Sequence, residues 1–474
     1  MIRTSSRSFN QQYLVVSFNG FVVLLGVFLI NGIVARSFGL EPLGEYLLIK
    51  RTVTTIVGIL LIGLNISIPV FLNKKYGLHF LSNFIAIFIT ITLPAIAIFI
   101  CLIYFGVLSG FNMDYIIGYI FYTLSVCSQF FVYALYRGQS KMIWASSVQL
   151  LGSAIIPIIT FLVLGNLGVI LSIIGCTNLV INSIHVLTIK RSLGWSKFNM
   201  EIYKKIVHFG LERIPSFIAQ SILLAGPSVL LSMYGTFAEV ALIDANISII
   251  RLLILIIGPF GIIILPKIVK FEKKISNDQL NNAIITMIET ALFISVLFCM
   301  FLFFHAEELF LIWLNIEHND TLQLARYILL VIPLYVLTDL LRSPLDGLSD
   351  RGLNSIVYGV SASVFIAVFY GGIYIGKSPL YTIVIGFISG YFTSSLLSVY
   401  YINRILLLSL RKMNVHHLIG WVLLYFFYHQ LLLSISSRSL GLLFGFVAVL
   451  SIISIYVWLH WSQIKTALAA FDEL

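Results

Sequence analysis

Residues 36–46 read RSFGLEPLGEY and connect two long apolar stretches, at about 14–35 and 44–72. Residues 232–240 read SMYGTFAEV and precede another long apolar stretch, at about 239–264. Both segments have an aromatic residue before Gly, a short turn and a small residue before Glu. Each then continues into an apolar helix that is closed by Pro and Lys. This internal match predicts that the chain contains two copies of one helical unit.

A second pair of segments supports the repeat. Residues 136–141 read YRGQSK after the fourth apolar stretch, and residues 345–352 read LDGLSDRG after the tenth. Both are short, charged turns that contain Gly. Each copy then holds six helices, and an even number gives both copies the same orientation. Parallel repeats of this kind are typical of transporters, whose substrate path lies between the two halves.

The composition excludes a soluble protein. The chain has 474 residues, of which 59% are hydrophobic and 10% charged, and its mean hydropathy is +1.03. Soluble domains carry about 25% charged residues. Four cysteines are too few for a disulfide scaffold, and 14% aromatic residues exclude disorder. We therefore expect an all-α polytopic membrane protein.

A spanning helix needs roughly 20 mainly apolar residues. Fourteen stretches qualify, at about 14–35, 44–72, 82–107, 114–136, 142–164, 168–189, 206–232, 239–264, 283–304, 322–343, 354–375, 380–402, 418–435 and 440–461. The stretch at 418–435 is short and polar in places, so a core of twelve helices is the alternative. The predicted divisions are residues 1–200 for helices 1–6, 201–410 for helices 7–12 and 411–474 for helices 13–14.

The basic residues predict the orientation in the membrane. Twenty-one of the 29 Lys and Arg residues fall on one set of alternating loops, whereas the opposite set holds Arg36, Lys377 and Arg438. Because loops rich in Lys and Arg stay in the cytoplasm, both termini are predicted to be cytoplasmic. Most of the net charge of +10 is therefore explained by topology.

Some charged residues fall inside predicted spans, where a charge is costly unless it faces a cavity or a partner. They are Lys50, Arg51, Glu212, Arg213, Asp244, Arg251, Glu289 and Asp339. The candidates in spans two, seven and eight comprise four cations and two acids, which favours an anionic substrate. Arg251 is predicted to lie near the middle of the bilayer. The alternative is that Glu212–Arg213, and Asp244 with Lys50 or Arg51, are structural ion pairs.

The motif at 36–46 resembles the R-x-x-G-x-x-x-x-G-x-Y junction between the first two helices of Wzx-type flippases. Its matching residues are Arg36, Gly39, Gly44 and Tyr46. This family exports O-antigen and other lipid-linked oligosaccharides and belongs to the MOP (multidrug/oligosaccharidyl-lipid/polysaccharide) superfamily. The turn Arg137-Gly138 and the segment 208–211 resemble the family as well. The resemblance covers roughly residues 10–410.

The resemblance implies a fold and a mechanism. Two six-helix bundles would form a V around a central cationic cavity, and two C-terminal helices would be additional. An undecaprenyl-pyrophosphate-linked oligosaccharide would pass from the cytoplasmic to the periplasmic leaflet by alternating access. The positions that match cavity cations are Lys50 or Arg51 and Arg251. We add Arg213 because of its predicted depth and its charge.

The resemblance also implies the membrane, the pathway and the partners of the protein. It would lie in a bacterial inner membrane and serve lipopolysaccharide, capsule or exopolysaccharide synthesis beside a polymerase and a chain-length regulator. H⁺ or Na⁺ would be the coupling ion, with Glu212, Asp244 or Glu289 as candidate acids. Catalytic residues, metals, cofactors and nucleic acid are not expected.

Two other functions remain open at this point. A MATE-type multidrug or cation antiporter would need acidic residues in its first helices, but the first span has none. A membrane polysaccharide polymerase or ligase would need a large outside loop. The longest outside loop, at 305–321, has about 17 residues and lacks a convincing catalytic cluster.

Overall fold

The computed structural model describes residues 9–72, 80–108, 110–139, 141–193, 198–251, 277–317, 320–348, 352–406 and 438–472, together with a few single positions between 420 and 430. The regular elements in these ranges are helices. The chain divides into two compact units, Met1–Asp244 and Ala245–Leu474. The predicted divisions at 200 and 410 stay predictions, as does the V-shaped arrangement.

The first unit contains eleven complete helices and the start of a twelfth. They are α1 Phe9–Phe38, α2 Leu40–Leu60, α3 Leu64–Leu72, α4 Leu81–Ile87, α5 Leu93–Tyr104, α6 Ile116–Gly138, α7 Met142–Leu150, α8 Ile156–Val163, α9 Leu167–Leu193, α10 Met200–Leu211, α11 Ile214–Tyr234 and α12, described over 237–251. Two π-helical segments, Phe88–Thr92 and Leu151–Ile155, join α4 to α5 and α7 to α8. Each precedes a proline, Pro94 or Pro157, which lacks the N–H that a regular α-helix requires.

The described part of the second unit is also helical. Its helices are α13 Asn277–Phe304, α14 Ala306–Leu314, α15 Asp320–Ala325, α16 Ile332–Leu348, α17 Leu353–Tyr374, α18 Pro379–Leu406, α19 Arg438–Leu459 and α20 Trp461–Asp472. A 3₁₀ segment, Arg326–Val331, continues α15 into α16. Helix α14 occupies most of the predicted outside loop and buries Ala306, Phe310 and Leu314.

Eleven described helical stretches are long and apolar enough to cross a membrane, or twelve if the bent pair α2–α3 is one span. Three of the eleven join two numbered helices through a π or 3₁₀ segment, as α4–α5, α7–α8 and α15–α16 do. These twelve correspond to twelve of the fourteen predicted spans. Only the first part of the predicted span 239–264 is described, and 418–435 lies almost wholly outside the described residues. The protein is thus an all-helical polytopic membrane protein, and the count of fourteen spans stays a prediction.

The second predicted span is not one straight helix. Helices α2 and α3 meet at 49° across a three-residue break. In this break Ile62 has a φ of 46° and Gly63 a φ of 73°. The left-handed region suits Gly63 but strains a β-branched residue such as Ile62. Gly210 of α10 packs so closely on the Ile62 carbonyl that a Cβ there would overlap it.

The seventh predicted span, 206–232, is also interrupted. The amphipathic helix α10 is capped by Asn199, whose side chain accepts hydrogen bonds from the backbone N–H of Glu201 and Ile202 at 2.9 and 3.2 Å. It ends at Leu211, and α11 restarts at Ile214 with Pro215 in its first turn. Proline is favoured in the first turn of a helix because its missing N–H is not needed there. The apolar residues of α10 extend the hydropathy signal beyond the true span.

Candidate functional site

The deepest charge contact in the first unit joins α2 to α12. Arg51 Nε donates to Asp244 Oδ1 at 2.7 Å, and Arg51 Nη2 donates to the Asp244 backbone oxygen at 3.3 Å. Arg51 is 7% exposed and Asp244 is 0% exposed. Among the buried residues that the structure describes, they are the only arginine and the only carboxylate. Such a contact offsets the cost of removing both charges from water only when its geometry is good.

The junction before α12 places Asp244 opposite Arg51. Thr236 and Glu239 form a capping box, in which Thr236 N–H donates to Glu239 Oε2 at 2.8 Å and Glu239 N–H donates to Thr236 Oγ1 at 3.2 Å. The first turn of α2 lies against this start, since a Cβ on Gly44 would overlap the Phe237 carbonyl. Gly44 therefore permits the close approach of α2 and α12.

A backbone contact also ties α11 to the charged part of α2. Ser221 Oγ donates to the Thr55 carbonyl oxygen at 3.0 Å. Thr55 Oγ1 in turn donates to the Arg51 carbonyl oxygen at 2.8 Å. The ring of Phe217 lies against Gly58, one turn farther along α2. The arginine is thus carried by a helix that is packed on both α11 and α12.

Lys50, the residue before Arg51 on α2, contacts an aromatic ring of the same helix. Its Nζ lies 5.0 Å from the centroid of the Tyr46 ring, within the range of a cation–π interaction. Tyr46 is buried, and its ring meets the edge of Phe161 at 4.9 Å between centroids. Lys50 and Arg51 are thus successive cations of α2, and Arg51 is the one that Asp244 holds.

The structure places Glu212 and Arg213 in the turn between α10 and α11. Glu212 Oε1 lies 3.3 Å from His208 Nε2, and the two side chains are 60% and 78% exposed. Arg213 Nη1 donates to the Phe209 carbonyl oxygen at 2.8 Å, and its Cζ lies 3.6 Å from the centroid of the Phe209 ring. The alternative of a Glu212–Arg213 ion pair is not what the structure shows, because each residue has a different partner.

The other two predicted site residues belong to the second unit. Arg251 is half-buried at the end of the described part of α12. Glu289 is half-buried on α13, one turn before Phe293, whose ring stacks on Tyr456 of α19 at 3.8 Å. Neither residue is part of the Arg51–Asp244 contact, so their roles stay predictions.

The remaining motif residues have structural explanations. Gly39 has a φ of 92°, a conformation that favours glycine, where the chain passes from α1 to α2. Gly138 is buried at the end of α6, against Leu72 and Pro69 of α3. Arg36 and Arg137 are exposed in the last turns of α1 and α6, where a cation interacts favourably with the helix dipole.

Comparison with solved structures gives the fold. The lipid II flippase MurJ in an inward closed conformation superposes with a TM-score of 0.74 at 13% identity, covering 94% of this chain and 99% of that one. An inward-facing multidrug resistance MATE family transporter gives a TM-score of 0.66 at 15% identity, covering 87% of this chain and 98% of that one. A MOP superfamily transporter from Pyrococcus furiosus gives 0.58 at 15% identity, covering 83% and 96%.

The chain has the fold that these solved structures share, which we call the MOP fold. No protein-family model matches the sequence, and no curated protein sequence does so either. The resemblance deduced from the motif at 36–46 is therefore confirmed at the level of this fold. The Wzx family, the substrate and the membrane of residence are not shown by matches of such low identity.

Helix α1 of this MOP fold contains a buried amide that was not predicted from the sequence. Asn31 is fully buried, and neither its Oδ1 nor its Nδ2 hydrogen-bonds to any described residue. A buried polar group without a partner costs free energy and calls for an explanation. Asparagine is unusual in a lipid-embedded helix, and that signal could have identified it. Asn19, on the same helix, has a partner, because its Nδ2 donates to Gln149 Oε1 at 3.4 Å.

Proposed function

We propose that this protein is a flippase for an undecaprenyl-pyrophosphate-linked oligosaccharide, of the kind used for O-antigen, capsule or exopolysaccharide. It would act by alternating access, from the cytoplasmic to the periplasmic leaflet of a bacterial inner membrane. The MOP fold supports membrane transport as the class of function. The MurJ neighbour, named as a lipid II flippase, supports a lipid-linked substrate.

The two cations of α2, Lys50 and Arg51, are the observation that carries the proposal. Arg51 is buried and holds the only carboxylate among the buried residues that the structure describes, and Lys50 is the preceding residue of the same helix. A cationic group inside the membrane stabilises a diphosphate, which would otherwise enter a medium of low dielectric constant as an uncompensated charge. Arg251 would supply a further permanent charge for phosphate oxygens.

A MATE-type drug or cation antiporter is the second candidate, because MATE transporters share the fold over more than four fifths of this chain. Such a function requires an acidic group that can take up a cation, whereas Asp244 is already engaged by Arg51. The Pyrococcus protein is described as having a binding pocket of reversed polarity and a different function. The sign of the charge at the binding site can therefore distinguish a cation antiporter from a transporter of an anionic lipid within this fold.

Reconstitution into proteoliposomes tests the proposal. A fluorescent undecaprenyl-diphosphate oligosaccharide is added, and its appearance in the other leaflet is followed by chemical quenching. We expect the wild type to accelerate flipping and Lys50→Gln to slow it at least 10-fold, since a buried charge contact to phosphate contributes more than about 1.4 kcal/mol. Lys377→Gln, the same substitution at an exposed residue, is the matched control.

Two results would contradict the proposal. Uptake of an organic cation dye against an ion gradient, without flipping of the diphosphate lipid, would favour the drug antiporter. Growth of the glycan chain in a membrane that contains only this protein and the lipid-linked substrate would favour a polymerase.

A further inference from the structure

Three aromatic rings from three helices meet at one end of the first unit. Tyr136 of α6 is buried, and its Oη lies 2.8 Å from His185 Nδ1 of α9. The ring of Trp144, from α7, stacks on Tyr136 at 6.2 Å between centroids and meets the edge of His185 at the same distance. Trp144 is nevertheless 55% exposed. The rings therefore form a fixed platform with one open side.

Basic residues surround this platform. Arg137 follows Tyr136 directly, Lys141 precedes Trp144 by one helical turn, and Lys190 lies about one and a half turns beyond His185. All three are exposed. Lys141 N–H donates to the Tyr136 carbonyl oxygen at 2.9 Å, so the turn that carries it is closed against α6. We call Tyr136, Arg137, Lys141, Trp144, His185 and Lys190 the Tyr136 cluster.

Acidic residues are missing from this part of the chain. The sequence has no Asp or Glu between Asp114 and Glu201, so no carboxylate in α6, α7, α8 or α9 offsets the basic residues. The described basic residues of these helices, including Arg191, all lie at the same end. The end therefore has a concentrated positive charge, in contrast to α10, where Glu201 and Glu212 flank the lysines.

The surface next to the Tyr136 cluster suits acyl chains. Ile143, Ile184 and Leu187 are exposed and apolar on the helices that carry Trp144 and His185. Exposed Trp at the end of a spanning helix is typical of the membrane interface, where one side of the ring is apolar and the other is wet. Basic side chains at this depth attract the headgroups of anionic lipids.

We propose that the Tyr136 cluster is a binding site for the headgroup of an anionic phospholipid of the surrounding leaflet. Arg137, Lys141 and Lys190 would contact the phosphate and any second anionic group. Trp144 would lie at the level of the glycerol backbone, with the acyl chains along Ile143 and Leu187. His185 could add a donor, because a Tyr136 hydroxyl that donates to Nδ1 leaves the imidazole proton on Nε2.

Quenching of tryptophan fluorescence by brominated lipids tests the site in nanodiscs that hold the full chain. Phosphatidylglycerol and phosphatidylcholine, each with dibrominated acyl chains, are compared at equal mole fraction. The difference in quenching between the wild type and Trp144→Phe gives the contribution of Trp144. We expect this difference to be larger for phosphatidylglycerol. The preference should weaken on the order of 10-fold in Arg137→Gln/Lys141→Gln, because each basic residue near an anionic surface adds to binding.

Lys204→Gln/Lys205→Gln on α10 is the matched control, since it removes the same charge from two exposed lysines of the same unit. This variant should keep the preference. If Arg137→Gln/Lys141→Gln does not fold, the wild type is examined in increasing NaCl, which should abolish the preference by screening the charges. Equal quenching by both lipids would overturn the proposal. So would displacement of phosphatidylglycerol by an undecaprenyl diphosphate lipid at equal mole fraction, since the cluster would then serve the transported lipid.

Discussion

Arg51 Nε lies 2.7 Å from Asp244 Oδ1, although the two residues are 193 positions apart and both are buried. The contact joins α2, which begins at the motif 36–46, to α12, which begins at the matching segment of the internal repeat. Both segments were selected from the sequence for their similarity. The structure shows that the helices that follow them contact each other through the one buried arginine and the one buried carboxylate of the described residues.

The first prediction concerns this contact. Arg51→Gln and Asp244→Asn should each lower the thermal stability of the detergent-solubilised protein strongly, because each leaves a buried charge without its partner at a cost of about 3–5 kcal/mol. The double variant should be more stable than either single variant, since no buried charge remains. The stability is measured by fluorescence-detected size-exclusion chromatography after heating. A double variant whose loss of stability equals the sum of the two single losses would contradict an ion pair.

The second prediction concerns Arg251. Arg251→Gln should slow flipping of the diphosphate lipid at least 10-fold, because the neutral amide cannot offset the charge of the diphosphate. Arg251→Lys should retain part of the rate, as an ammonium keeps the charge but not the planar geometry. Arg404→Gln, at an exposed arginine of the same unit, should flip at the wild-type rate.

The third prediction concerns two glycines at close helix contacts. A Cβ on Gly44 would overlap the Phe237 carbonyl, and a Cβ on Gly210 would overlap the Ile62 carbonyl. Gly44→Ala and Gly210→Ala should each destabilise the protein by about 1–3 kcal/mol, as overpacking does. Gly359→Ala is the control. Nothing lies within 4 Å of its Cβ position, and alanine should raise stability slightly in that helix.

The fourth prediction concerns the start of α12. Thr236→Ala removes the side-chain acceptor of the capping box and should cost about 1 kcal/mol of helix stability. Because α12 carries Asp244, hydrogen exchange should accelerate at its first turn and along the residues that lead to Asp244. Thr466→Ala, at an exposed threonine of α20, should leave exchange in α12 unchanged. Unchanged exchange in Thr236→Ala would contradict the capping role.

The fifth prediction concerns the stack that joins α13 to α19 in the second unit. The Tyr456 ring lies between Phe293 at 3.8 Å and His460 at 4.3 Å. Tyr456→Ala should destabilise the unit by about 3–5 kcal/mol through lost packing. Tyr456→Phe, which keeps the ring, should cost much less. The measurement is the loss of folded protein on heating, followed by size-exclusion chromatography. Equal losses in both variants would argue against the stack as the anchor.

Hydropathy predicted most of the membrane-spanning helices because the bilayer leaves few alternatives. A backbone that crosses lipid has to satisfy its own hydrogen bonds, so each span is a continuous apolar helix that a sequence window can detect. The errors occurred where local structure departs from this rule. At 61–63 a left-handed turn interrupts an apolar run, and at 212–213 an amphipathic helix precedes the span with similar hydropathy.

The candidate site was less predictable. The sequence placed Lys50, Arg51 and Asp244 inside spans by their distance from the helix ends, and it left open whether Asp244 would pair with Lys50 or with Arg51. Neighbouring side chains on a helix point in directions that differ by about 100°, so small rotations decide which one meets the next helix. Arg213 was predicted from its depth in a continuous span, whereas the structure places it in the turn just before α11, and its role stays a prediction.

The sequence by itself thus determined the class of the protein, most of its spans and the helices that carry buried charges, since these depend on the cost of placing polar groups in lipid. Tertiary structure alone decided that Arg51 is held by Asp244 and that Tyr136, Trp144 and His185 form one platform. Such contacts depend on how helices distant in the chain pack, and close packing at residues such as Gly44 sets those positions to within an ångström.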